Sequence, residues 1–223
     1  MKRLPFVIFP LLMVACTPNY VSKNYYGHAW KKQTIPGKIE CEWYDKGGES
    51  VAYHDSDAIN NGSGKLNPAN GSFLNEFRKN EGVDISYTKP GGIDDNPYSR
   101  VVPVMNQLYA GWTTPGEWIN YTIRVKETGA YRIALMYTAN GDGAIALDID
   151  NAGAGAPFKI HSTHNDADTV AWRQWHHWNK TDSLTIIHLK KGLHLLTLRV
   201  IEHGNMNFDY LEFIRQPAGR GVF

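Results

Sequence analysis

The sequence predicts an all-β fold, a β-sandwich with the jelly roll among its forms, and three observations predict it. Runs of strand length alternate apolar and polar residues along most of the chain, with turn-forming residues between them. No segment carries the longer period of a convincing long helix. The chain has 223 residues, 42% of them hydrophobic, and a mean hydropathy of −0.41. That describes a soluble chain long enough for one core. Aromatic residues reach 12%, with 7 Trp and 12 Tyr, so some rings are expected at a binding surface as well as in the core.

The N-terminus reads as an address. Lys2 and Arg3 precede an apolar run over residues 4–15, broken by Pro5 and Pro10 and too short to remain as a spanning helix. Residues 1–15 are therefore expected to be a signal peptide. Leu12-Met13-Val14-Ala15-Cys16 is similar to the lipobox of bacterial lipoproteins, with Met13 where that family more often carries Leu. The resemblance implies lipidation of Cys16, a tether over 16–36, and a place in the bacterial cell envelope, periplasmic or on the outer-membrane surface. An ordinary signal peptide followed by a chance Cys is the other reading. Cys41 is then the only remaining thiol, so an intramolecular disulfide is impossible. Strand alternation through Ile39, Cys41 and Trp43 places it inside as a small core residue.

The sandwich itself is expected over 37–216, with a tail at 217–223. Residues 117–125 put Ile119, Tyr121, Ile123 and Val125 on one face, and 130–138 do the same with Tyr131, Ile133, Leu135 and Tyr137. Further strands are expected at 144–149, 184–189, 193–201 and 207–214, with turns at 126–129 and 190–192. Three long stretches break the rhythm. Residues 60–82 and 89–107 are rich in Gly, Pro and Asn, and 161–182 gathers Trp172, Trp175 and Trp178 with four His. Loops of this length on a sandwich are commonly functional.

Charge argues against nucleic acid. Lys and Arg number 23 against 22 Asp and Glu, and loss of Lys2 and Arg3 leaves 21 against 22. The basic residues are scattered and form no phosphate-binding patch. A neutral polymer suits this balance.

Several segments, in order, carry a more specific resemblance. They are Ile39-Glu40-Cys41-Glu42, residues 47–55 from Gly47-Gly48-Glu49 to His54-Asp55, Gly82-Val83-Asp84-Ile85, and residues 111–121 beginning Gly111-Trp112. Leu189-Lys190-Lys191-Gly192-Leu193-His194 and residues 205–213, with Asn207-Phe208-Asp209, complete the series. Together they resemble family 6 carbohydrate-binding modules over about residues 37–214. The resemblance implies a jelly-roll sandwich that binds glycan without cleaving it and carries a structural calcium.

The residue types support both implied sites. Calcium takes about six to eight oxygens. Glu40 and Glu42, two apart, share a face of a strand, and Asp209 matches the family's third carboxylate. A carbonyl from Gly62 to Gly64 resembles the remaining protein ligand. Such an ion would clip the first strand to the last. For sugar, pyranose faces stack on flat rings and hydroxyls take directed hydrogen bonds. Phe77 matches one ring position, where Tyr is commoner. Trp178 is the choice for the second, with Trp175 and Trp172 as alternatives. Asn207 matches the polar partner and Glu49 a carboxylate directed at hydroxyls. Core packing is the competing role for Phe77, and Trp112 and Trp118 are expected in the core. Asn207 and Asp209 would share a face of a regular strand, so their two roles require a bulge or a loop conformation there.

Other constellations carry less. His161, His164, His176 and His177 lie in a loop without the helix that aligns zinc-binding His. Asp142, Asp148 and Asp150 lack the closing Gly and Glu of an EF-hand. A glycoside hydrolase with paired carboxylates is the enzymatic rival, and a protein-binding sandwich in a surface complex is the third reading. The expected partners are a polysaccharide or oligosaccharide, a membrane through the anchor, and a glycoside hydrolase acting alongside.

Overall fold

The computed structural model describes residues 29–217. The signal peptide, Cys16 and the tail from 218 onward lie outside the described residues, as does most of the tether.

The strands, in chain order, are β1 (Gln33–Ile35), β2 (Gly37–Glu40), β3 (Tyr53–His54), β4 (Ser63–Gly64), β5 (Asn67–Pro68), β6 (Ile85–Tyr87), β7 (Leu108–Ala110) and β8 (Trp118–Val125). They continue with β9 (Gly129–Ala139), β10 (Gly143–Ile149), β11 (Ala152–Gly153), β12 (Phe158–Ile160), β13 (Asn179–Lys180), β14 (Thr185–Leu189), β15 (Gly192–Glu202) and β16 (Met206–Arg215). One helical turn, α1 (Phe73–Glu76), lies in the 60–82 loop.

Two sheets of seven strands face each other. The first runs β1-β8-β15-β10-β11, with β3 also on β8 and β12 also on β10. The second runs β13-β9-β16-β7-β6, with β14 also on β9 and β2 also on β16. The alternating residues of β8 and β9 meet between them: Ile119, Tyr121, Ile123 and Val125 face Tyr131, Ile133, Leu135 and Tyr137 in one buried cluster. Burying one face of each sheet while the other stays polar is what period-two alternation produces. The six strands expected from alternation are found with ends within one residue.

Three features depart from expectation. Gln33–Ile35, assigned to the tether, is a strand paired in parallel with β8, and Ile35 is fully buried. The sandwich therefore begins before residue 37. The first carboxylate strand stops at Glu40, and Cys41–Trp43 form a 3₁₀ turn. Cys41 is buried as expected, whereas Trp43 is only partly so. Along β16, Phe208 pairs with Tyr137 and Tyr210 with Met136, so Asp209 is the extra residue of a bulge. This bulge separates Asn207 from Asp209.

Candidate functional site

The outer face of the second sheet is covered by two of the long loops. Tyr109 of β7 and Met136 of β9 point outward and pack with Trp178 in a second, smaller cluster. The loop segments hold Trp178 from several directions. Its backbone oxygen accepts from Arg100 N at 2.8 Å and Val101 N at 3.2 Å. Its own N donates to Ser99 Oγ at 3.0 Å, and Nε1 donates to Asp94 Oδ1 at 2.6 Å. Asp168 pins the next loop, accepting from Arg173 Nε at 2.6 Å and lying 2.9 Å from His177 Nε2. The Arg173 hydrogen bond, with help from His177, holds the Asp168 carboxyl well below the usual carboxylate range.

These loops leave a strip of rings at the end of the second sheet. Trp112 and Tyr109 lie with centroids 6.3 Å apart, Tyr109 and His176 5.8 Å, and His176 and Trp175 5.5 Å. The middle pair is buried and joined by a Tyr109 Oη to His176 Nε2 contact of 3.1 Å. Trp112 and Trp175, at the two ends, are partly exposed. Trp112 has a φ of 50°, unusual for so bulky a residue. The buried Asn207 fixes that backbone: Oδ1 accepts from Trp112 N at 3.1 Å, while Nδ2 donates to Thr138 Oγ1 at 2.9 Å. Gly111 permits the approach, since a Cβ there would lie 2.6 Å from Asn207 Oδ1.

The expected sugar residues fall in different places. Trp178 is 0% exposed and presents no face to solvent, because the 89–107 loop makes a second core on a sheet face that alternation alone would leave wet. Phe77 is 6% exposed, packed against Trp43 at 4.8 Å and under Phe73 at 5.2 Å. Neither can stack on a sugar in this structure. Asn207 is also buried and acts on Trp112 rather than facing outward. Glu49 is exposed, with Oε1 2.6 Å from His54 Nδ1 and Oε2 accepting from Asp55 N. Of the alternatives, Trp175 is partly exposed and Trp172 is 59% exposed. Trp112, expected in the core, was missed. Its flanking Gly111 and the Thr-Thr-Pro-Gly of 113–116 are the signals of a loop that could have found it.

Glu40, Glu42 and Asp209 gather where β2 lies beside β16, with Glu40 opposite Tyr210. Glu40 is ion-paired with Lys31. Glu42 and Asp209 are buried, and Glu42 Oε2 and Asp209 Oδ1 have no hydrogen-bond partner among the described residues. Burial pushes the Glu42 carboxyl well above its ordinary range, with the Glu40 and Asp209 charges adding. Burial, with Glu40 adding, raises Asp209 to about 7 against the opposing effect of Lys38. The Gly62 carbonyl already accepts from Asn67 N at 2.9 Å. Among the described residues, no three His, Cys, Asp or Glu side chains converge as a ready metal site. Two buried carboxylates with orphaned oxygens are nevertheless the donor type that a hard cation takes.

The sequence model of the carbohydrate binding module (family 6) matches residues 75–215. No protein of curated function matches the chain. Among solved structures, a family 6 module from Clostridium stercorarium in complex with cellobiose is 11% identical at a TM-score of 0.48, covering 84% of this chain and 99% of that one. The C-terminal family 6 module of a laminarinase from Zobellia galactanivorans is 15% identical at 0.46, covering 80% and 98%. A cycloisomaltooligosaccharide glucanotransferase from Paenibacillus sp. is 17% identical at 0.41, and the matched part is 58% of this chain but only 16% of that enzyme. The family match spans well over half of the sequence, and the chain belongs to family 6 of the carbohydrate-binding modules, which bind sugar and do not cleave it.

Proposed function

We propose that this module holds a neutral polysaccharide or oligosaccharide at the loop end of its second sheet, between Trp112 and Trp175. The ring strip carries this reading. It offers two partly exposed indole faces on a buried, hydrogen-bonded middle, which fixes their spacing before any ligand arrives. Preorganised rings lose little entropy on binding, and sugar C–H faces stack on them. Asn205, exposed on the adjoining turn, and Glu49 on a neighbouring loop supply polar groups for hydroxyls. The test is a glycan array followed by titration. Trp175→Ala and Trp112→Ala should each weaken the retained glycan by about tenfold or more, a loss of about 1.4 kcal/mol or more. Full-strength binding by both variants would exclude the strip. Absence of reducing-end release in the same samples over days would set the module apart from a glycoside hydrolase, and the hydrolase acting alongside is proposed to be a separate chain or domain.

Calcium is proposed at Glu42 and Asp209, with Glu40 joining if it leaves Lys31. The support is the pair of orphaned buried oxygens. The ion would supply positive charge between carboxylates that otherwise repel, joining the 3₁₀ turn after β2 to the bulge of β16. Melting in excess calcium against chelator should separate by several degrees, as a ligand at about 100 times its Kd contributes about 2.7 kcal/mol. Glu42→Gln should remove most of that separation. Equal melting temperatures in the two conditions would remove the ion from this reading.

A further inference from the structure

The long strands run from one end of the sandwich to the other, and its two ends carry opposite charge. β8 and β15 pair antiparallel, from Trp118 opposite Arg199 to Val125 opposite Gly192. β9 and β16 do the same, from Ala139 opposite Met206 to Tyr131 opposite Arg215. The turns before β8, after β9 and after β15 therefore share the end that carries the ring strip. The turns after β8 and after β14 share the far end with the close of β16, since Leu189 lies opposite Gly129. The length of β15, at about 3.3 Å per residue, sets the two ends roughly 33 Å apart. At the near end, segments 113–117, 140–142 and 203–205 contain no Lys or Arg, and Glu117, Asp142 and Glu202 stand at the strand termini. At the far end stand Arg124, Lys126, Lys190, Lys191 and Arg215. Lys191 N donates to Thr128 Oγ1 at 2.9 Å and Lys126 N to Ile35 O at 3.0 Å, which ties the two turns to each other and to β1. The acids there are engaged: Glu127 holds Arg215 at 3.0 Å, and Asp150 lies 2.6 Å from His194. Arg124, Lys126, Lys190 and Lys191 are exposed, and their side chains have no partner among the described residues. With 23 basic and 22 acidic residues in the chain, this is a separation of charge and not an excess. No basic run announces it, because the fold gathers cations that the sequence scatters.

From this separation we infer a docking surface: the far end of the sandwich sits on an anionic membrane, its cations among the lipid headgroups, and the ring strip is turned outward. A blunt end made of turns spreads its charge over an area, which suits a plane of headgroups. Each Lys or Arg near such a plane contributes about fivefold in affinity. Four give a weak, salt-sensitive attraction, enough to orient a module and too little to anchor one. The same plane repels the acids of the near end, so both ends favour one orientation. The surface lies within the described residues and does not depend on a lipid at Cys16. Its consequence, outward display of the sugar site, rests on the ring-strip reading.

The experiment pellets the full chain as Cys16→Ser, which has no lipid of its own, with vesicles at low ionic strength. One set is phosphatidylcholine alone and the other is mixed with phosphatidylglycerol. Binding should be at least about tenfold stronger to the anionic set and should fall as salt rises. Lys126→Glu/Lys190→Glu should lose at least about tenfold of that binding. Lys65→Glu/Lys159→Glu, matched in net charge but placed away from the far end, should keep it. All four side chains are exposed, and unchanged melting temperatures show that both variants fold. Equal binding to the two sets of vesicles, or equal loss in the two variants, overturns the surface. Retention of soluble polygalacturonate through Lys126 and Lys190 while the vesicles are ignored would give these cations to an acidic polymer and also overturn it. Glycan bound in solution should be bound as tightly by the module on vesicles. Affinity lost there would put the ring strip against the lipid and overturn the orientation. A chain that binds no glycan in either state sinks the ring-strip reading alone, and the vesicle series still decides the basic end.

Discussion

Three tryptophans within seven residues take three different environments. Trp172 is 59% exposed, Trp175 partly so, and Trp178 fully enclosed. The difference is set by partners, not by residue type. The Trp178 indole N–H meets the buried Asp94 carboxylate at 2.6 Å, and its backbone is bonded to 99–101. Trp178→Ala is therefore a stability variant. It should cost about 3–5 kcal/mol from the cavity alone, read by chemical denaturation. Trp178→Phe fills most of the volume but takes the indole N–H from Asp94 Oδ1, leaving that carboxylate Lys89 N and His176, and should cost about 1–3 kcal/mol. Asn207 behaves likewise. Asn207→Ala leaves Trp112 N and Thr138 Oγ1 without partners and should lower stability by about 1–3 kcal/mol. It should also weaken glycan binding, because Trp112 then loses the bond that holds its φ of 50°. A stable variant with undiminished affinity would disconnect Asn207 from the site. At this scale the sequence showed which residue types mattered but not which way they faced. Phe77 and Trp178 have the rings that sugar binding requires, yet nothing in their own neighbourhoods foretells the loops folded over them.

At the scale of elements, what is local was legible and what is paired at a distance was not. The strands of the two central layers announce themselves through alternation, because a one-residue slip would invert every side chain. A bulge or a loop conformation was expected between Asn207 and Asp209, and the register shift of β16 is the bulge. Strand β1 was missed because three residues, Gln33–Ile35, are too few to alternate and are ordered by distant partners, β8 along the ladder and the Glu40 and Trp43 backbone through the Gln33 amide. The loop after β3 carries a prediction of its own. Asp55 is raised to about 7, first by burial and then by the charges of Glu117, Asp84 and Asp57. Asp84 is raised to about 6, again by burial first. A carboxyl raised in the folded state holds its proton where the unfolded chain, near 3.8, has released it. The folded state then binds more protons, so stability should fall as pH climbs from about 4 to about 7. Asp55→Asn keeps the oxygen that accepts from Asp57 N and should flatten the upper part of that decline. An unchanged pH–stability curve in this variant would assign the titration elsewhere.

At the scale of the whole molecule, affinity and display have to be considered together. Two stacking rings and a few wet hydrogen bonds support a dissociation constant of about 10 µM to 1 mM, weak for a single encounter. Repetition compensates. A polysaccharide offers many equivalent units, and a tethered array of modules meets them at high effective concentration. A lipid at Cys16, as the sequence leads one to expect, would create such an array. The near balance of 23 basic and 22 acidic residues leaves the surface without a strong net field, so neutral polymer can approach without an electrostatic barrier. The argument predicts a difference between the same module free and displayed. Cys16→Ser should move the protein from the membrane fraction to the soluble fraction, with its affinity for a short oligosaccharide unchanged. Cells carrying the variant should retain long polysaccharide at least about tenfold less well, since avidity and not the site has been removed. Equal retention by wild-type and variant cells would mean that a single module suffices, and the site would then have to be tighter than two rings allow.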